Sequence, residues 1–302
     1  MQTPEALKAQ INSTQDLQSV VKTMKALAAV SIQQYESAIA SLHHYSHTIE
    51  LGLQILLSQP QFVEGALPQI NHDNYVDGHL GLIVFGSDQG LCGQFNQQIA
   101  QHVGHYLDNP PFPIERHQRV AVVGSRPISL LQDQGMTIEE TLSVPNSVSE
   151  ITATVQDVLL MIDQWRRDKA VNRILLFYNR PTSSASYTSH SVQLLPLDQD
   201  WLGTLQHRSW ENRGLPTILM APDELFSQLV QQYLFITLYQ AIAASLASEN
   251  ASRLAAMQSA EGNIRDRLTE LTGQYRQQRQ SAITAELLDV VSGFEALTGQ
   301  ES

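Results

Sequence analysis

Cysteine is almost absent: the 302 residues hold one, Cys92. That excludes an internal disulfide framework and a cysteine-rich metal site, and it fits a reducing compartment. Positive charge is also scarce. Eighteen Lys and Arg stand against thirty Asp and Glu, a net charge of −12 with no basic tail. Nucleic acid rewards clustered Lys and Arg, so no nucleic-acid partner is expected. No apolar run approaches the roughly eighteen residues of a membrane span. The opening stretch, MQTPEALKAQ, lacks both a secretory apolar core and an Arg/Ser-rich transit pattern. Met1 is therefore expected to begin the mature protein.

Proline is missing from both ends. Apart from Pro4, the other eleven of the twelve lie from Pro60 to Pro222. Pro4 suits a first helical turn capped by Thr3, which leaves the chain free to be helical to residue 60. Leu17, Val21, Met24, Ala28, Ser31, Tyr35, Ala38, Leu42, Tyr45, Ile49, Gly52 and Leu56 alternate in steps of four and three, a heptad seam. From Pro222 to Ser302 there are only four glycines and no further proline, so a second helix is expected there. Its seam is Leu225, Leu229, Ile236, Tyr239, Ala243, Leu246, Met257, Ala260 and Ile264. Such a helix would be roughly 110–120 Å long. Two seams at opposite ends most simply pair antiparallel, with the middle inserted between them. With residue 57 opposite residue 222, the first helix runs out near residue 276. The remainder carries Ile283, Leu287, Leu288, Val290, Val291, Phe294 and Leu297, an apolar face wider than the seam. A face of that kind should enter another protein.

The middle reads as α/β. Leu80–Phe85 (LGLIVF) and Arg173–Tyr178 (RILLFY) are continuous apolar runs, as expected of strands buried on both faces. Arg119–Val123 is a further strand, and Ser189–Leu197 an edge strand. Helices are expected up to Leu107, around Pro127–Gln134 and over Val148–Arg167, so the sheet should be mostly parallel. Residues 58–79 and 198–221 read as connectors. The division is thus a helix over 1–60, an α/β domain over 76–200 and a helix over 221–302.

Candidate chemistry is thin. Gly86-Ser-Asp-Gln-Gly-Leu-Cys-Gly93 follows a strand and opens a helix, where dinucleotide phosphates bind. Its G-x-x-x-G-x-x-G spacing departs from the dinucleotide fingerprint, it has no P-loop Lys, and Asp88 would repel phosphate. A structural turn is the better reading. Cys92 has no His-plus-carboxylate set pointing to it. His43 and His47 stand four apart without a Glu between them, which favours a solvated face over zinc. Asn250 and Arg253, beside Glu249, interrupt the second seam and suit either a buried register-fixing group or a partner contact. No triad, carboxylate dyad, cofactor site or metal site is expected.

At this point the chain resembles the gamma subunit of F-type ATP synthases. Ser87-Asp-Gln-Gly-Leu-Cys-Gly-Gln-Phe-Asn96 looks like the family's SDRGLCGGFN, with Gln89 and Gln94 departing from it. Ser248-Glu-Asn-Ala-Ser-Arg-Leu-Ala-Ala-Met257 resembles SEN-x-AR-x-x-AM, and Arg279-Gln-Ser-Ala-Ile-Thr-Ala-Glu-Leu287 resembles RQA-x-ITQEL. Lys22-Thr-Met-Lys-Ala-Leu-Ala-Ala29 is similar to KAMKMVAA. The resemblance implies an antiparallel coiled coil of the N- and C-terminal helices with an inserted Rossmann-like domain that binds no nucleotide. It implies a non-catalytic rotor shaft inside a hexamer of alpha and beta subunits, its foot on the epsilon subunit and the c-subunit ring. Beta-subunit contacts carry over to Met24 and Lys25 and, near the tip, to Arg279, Gln280 and Thr284, with Leu287 beside them. Asn250 and Arg253 complete the expected interface. The implied location is peripheral, on the cytoplasmic or equivalent face of an energised, bacterial membrane. A coiled-coil scaffold and a Rossmann-type nucleotide enzyme are the alternatives.

Overall fold

The computed structural model describes residues 3–59, 79–112, 118–168, 171–183, 186–210, 214 and 218–298. Two long helices, α1 (Pro4–Leu57) and α6 (Pro222–Thr298), flank an α/β segment. That segment runs β1 (His79–Phe85), α2 (Phe95–Asp108), β2 (Gln118–Val123), α3 (Arg126–Gln132), β3 (Ile138–Leu142), α4 (Val148–Asp168), β4 (Val171–Ser183), β5 (Ser186–Leu195) and α5 (Gln199–His207). The chain forms two compact units. One holds its two ends, up to Leu27 and from Leu254; the other holds Ala28–Arg253.

In the Ala28–Arg253 unit the five strands lie in the order β3-β2-β1-β4-β5. The first four are mutually parallel and β5 returns antiparallel to β4 along the edge. Alternation assigns the two faces. Leu80, Leu82, Val84, Val120, Val122, Leu175 and Phe177 meet Ile99 and Val103 of α2 and Leu131 of α3. Ile83, Phe85, Ala121, Val123, Ile174 and Leu176 meet Ile151, Val155 and Trp165 of α4, Tyr35 of α1, and the stretch of α6 from Leu234 to Ala247. With both faces covered, the central strand β1 needs apolar residues at successive positions, which is the run that marks it in sequence.

Helix α1 is present as expected, and ten of the twelve expected seam residues are buried or half-buried, Met24, Ser31, Ala38 and Gly52 among them. The buried face is wider than the expected seam, because Gln18, Ile32 and Leu53 also turn inward. Leu17 and Tyr45 are exposed, whereas Leu53 is fully buried. The reason lies in what α1 packs against: Ile49, Leu53 and Leu57 meet Leu197, Leu202 and Leu205 as well as Ile236. A seam in steps of three and four names two positions in every seven and leaves such a widening out. Ile32→Val should cost about 0.5–1.5 kcal/mol in urea unfolding, while truncating the exposed Leu27 to Ala should stay within about 0.5 kcal/mol.

Two elements lie outside the sequence reading. Residues 198–221 contain α5 where only a connector is expected; Asp198 caps it, its carboxylate accepting from Asp200 N at 2.9 Å and Trp201 N at 3.4 Å. Strand β3, IEETL, is a half-buried edge strand with too few apolar residues to mark it. Residues 60–78, most of the other expected connector, lie outside the described residues. Within Pro222–Ser292 one 18-residue window is long and apolar enough to cross a membrane, at a mean hydropathy of 1.2, but half of it is buried in the protein. It is a core helix.

Candidate functional site

The Ser87–Asn96 loop and the Ser248–Arg253 segment, far apart in sequence, come together in the Ala28–Arg253 unit. The loop is first closed on itself. Asn96 accepts from Ser87 N at 3.0 Å and donates from Nδ2 to Ser87 Oγ at 2.8 Å. Gly93, at φ +56°, takes the left-handed turn into α2, with a Cβ there only 3.2 Å from Ser252 Oγ. Gly124, at φ +102°, lies so close to Ser87 that a Cβ would be 2.9 Å from its backbone. The Asp88 carboxylate accepts from Ser125 N at 2.8 Å and Val144 N at 2.9 Å. These are the backbone donors after β2 and β3, so Asp88 fills the crevice at the strand ends with the chain's own negative charge. Asp88→Ala should cost about 1 kcal/mol in urea unfolding and should create no nucleotide affinity detectable by calorimetry.

Segment Ser248–Arg253 docks against this loop. Ser252 Oγ donates to Cys92 O at 2.6 Å, and Ser248 Oγ donates to Asn179 O on β4 at 3.0 Å. Arg253 donates to Glu249 at 2.6 Å, to Asn250 Oδ1 at 3.2 Å and to Gly90 O at 3.5 Å. Both charged side chains are 8% exposed. Burial pushes the Glu249 carboxyl above its ordinary range even though Arg253 pulls it down. Burial, followed by the charges of Glu249 and Glu150, raises the Tyr35 hydroxyl as well. Of the two expected interface residues here, Arg253 is thus buried and bonded within the chain, and Asn250 is half-buried, donating to Leu246 O at 2.9 Å. Cys92 is buried as a small interior side chain.

In the unit of the two ends, α1 and α6 run antiparallel. Lys25 Nζ donates to Glu261 at 2.7 Å, and that hydrogen bond holds the Glu261 carboxyl below its ordinary range. A depressed carboxyl stabilises the fold above its ordinary pKa and loses that contribution as pH falls through the folded value. Met24, beside it, is half-buried. Burial along α6 recurs at Met257, Glu261, Ile264, Leu268, Leu271, Tyr275 and Gln278, then stops. From Arg279 to Ser292 every residue is exposed, including the expected contacts Arg279, Gln280, Thr284 and Leu287. Ile283, Leu287, Leu288, Val290 and Val291 lie 49–66% open to solvent, an unpartnered apolar surface. The side chains of Phe294 and Leu297 lie outside the described residues.

Neither unit holds a catalytic constellation among the described residues. The sequence matches the ATP synthase family over residues 3–297. The ATP synthase gamma chain of Zymomonas mobilis is 27% identical over 301 residues, covering 97% of this chain and 99% of that one. The chain belongs to the ATP synthase gamma family. The gamma chain of Aliarcobacter butzleri is 24% identical over 297 residues, covering 96% and 98%. Among solved structures, the fold is similar to a chain of the rotor of the Euglena gracilis mitochondrial ATP synthase, with a TM-score of 0.63 at 17% identity over 93% of this chain and 98% of that one. Gamma chains are non-catalytic rotor subunits, part of the F1 portion attached to the membrane. The Gly86–Gly93 loop of this gamma chain is accordingly a docking loop for its own C-terminal helix.

Proposed function

We propose that this chain is the central shaft of a rotary ATP synthase on the cytoplasmic face of a bacterial energised membrane. It turns inside a hexamer of alpha and beta subunits, with its α/β segment at the foot on the epsilon subunit and the ring of c subunits. Rotation of an asymmetric shaft carries the three beta sites in turn through different nucleotide affinities, linking ion flow to ATP synthesis or hydrolysis. Met24 and Lys25 contact beta low on the shaft; Arg279, Gln280, Thr284 and Leu287 contact the sleeve near the tip. Asn250 lies between these two regions in sequence, on the half-open face of α6 beside Arg253.

The observation that carries this reading is the exposed apolar surface from Ile283 to Val291. Water is a poor neighbour for five large apolar side chains on one helix end, whereas a hydrophobic sleeve gains by covering them. The test is to mix the purified chain with its alpha and beta subunits and weigh the product. A complex with one copy per three alpha and three beta subunits is expected. A homo-oligomer that ignores alpha and beta would favour the scaffold alternative.

A further inference from the structure

Along most of its buried course, from Leu234 to Ala247, α6 meets the sheet through Leu, Ile and Ala side chains. Such contacts are strong but non-directional; they resist rotation of the helix through close packing and not through any single bond. Directional contacts gather where the burial of α6 in this unit ends. Ser248 and Ser252, one turn apart, donate to Asn179 O and Cys92 O at 3.0 and 2.6 Å, and Arg253 reaches Gly90 O at 3.5 Å. Leu254 is already half-buried and Ala255 is exposed.

Each acceptor is a backbone carbonyl, which cannot rotate away as a side chain can. Two of them are also held from behind: Cys92 O accepts from Phe95 N at 3.2 Å, and the Asn179 side chain is fixed as well. Asn179, itself buried, donates to Phe95 O at 3.2 Å and accepts from Ser189 Oγ at 2.7 Å. Between the carbonyls of Gly90 and Cys92 stands Leu91, exposed and at φ +62°, a left-handed conformation costly for a leucine. The two bonds from α6 clamp the backbone on either side of that strained residue. Strain of this kind persists where the surroundings over-determine the backbone and the site has a task beyond packing.

We propose that this collar is the torque-bearing joint of the rotor. Ser248 and Ser252 are positioning residues that fix the rotational setting of α6 on the sheet, so that a twist applied to the sheet passes into α6, which continues unbroken to Thr298. The proposal rests on the rotor reading above. It places the coupling in two hydroxyl bonds rather than in the much larger apolar contact beside them.

The test uses the assembled enzyme in inverted membrane vesicles, comparing wild type with S248A/S252A and with S252T, which keeps the second hydroxyl. ATP hydrolysis and ATP-driven ion pumping are read in parallel. Each lost hydroxyl bond shifts a seated-to-slipped equilibrium by on the order of fivefold. Ions pumped per ATP should therefore fall by roughly threefold or more in the double variant. Its hydrolysis should stay near wild type, and S252T should pump like wild type. Unchanged pumping per ATP in S248A/S252A would overturn the proposal, as would a loss of hydrolysis or assembly that matches the loss of pumping. Failure of the rotor reading looks different: the wild-type chain would not enter the complex at all.

Discussion

Ending the chain at Gln278 should leave its fold untouched and remove its function. Every residue from Arg279 to Ser292 is exposed, and the side-chain hydrogen bond from Thr284 Oγ1 to Gln280 O at 2.9 Å is internal to the helix. Among the described residues nothing buried is lost, so urea unfolding of the isolated chain should shift by no more than about 0.5 kcal/mol. The same cut removes Ile283, Leu287, Leu288, Val290 and Val291, which together form the unpartnered apolar face. Burying such residues against a partner supplies most of an interface's energy, so ATP-driven pumping by the assembled enzyme should drop by roughly tenfold or more. Full coupling in the truncated chain would count heavily against a shaft whose tip is gripped by a sleeve.

Replacing Arg253 by Met should do the reverse and damage the fold first. Arg253 and Glu249 are both buried, and removing one partner leaves the other charge uncompensated, at a cost of about 3–5 kcal/mol. Replacing both, as Glu249→Leu with Arg253→Met, removes the stranded charge and should cost about 1 kcal/mol or less. The pH dependence separates the two. Glu249 already sits above its ordinary pKa because of burial, so the folded state binds its proton more readily than the unfolded state. Between the ordinary and the raised value, stability therefore rises as pH falls. Without Arg253 the carboxyl moves higher still, so the single variant should regain stability on acidification and the double variant should not. Urea midpoints measured from neutral pH downward read this directly.

The two long helices were legible because proline and glycine leave them alone, and the end of their pairing followed from counting. The estimate near residue 276 meets an observed last buried position at Gln278. Strands β1 and β4 announced themselves because a strand covered on both faces cannot alternate. Two kinds of information were missing. The width of the buried face of α1 depends on α5 and the segment before it, which cover Leu53 beside Gly52, while Gly52 lies close against Leu229 of α6. Helix α5 offered only Trp201, Leu202 and Leu205 as apolar positions, too short a pattern to stand out from a connector. At the joint, the motifs were visible separately, but nothing in their spacing says that Ser252 meets Cys92 O across 160 residues. Asn179, which fixes that joint from β4, lies in an ordinary strand and carries no motif at all.

A rotor subunit must turn within its hexamer. Its only cysteine, Cys92, is 3% exposed, so an Asp133→Cys substitution on the open surface after α3 gives a single labelling point. With the alpha–beta hexamer fixed to a slide and a probe on residue 133, added ATP should drive net rotation in one direction, ceasing when ATP is withdrawn. A probe that only fluctuates about one angle while the complex hydrolyses ATP would show that the chain is no rotor.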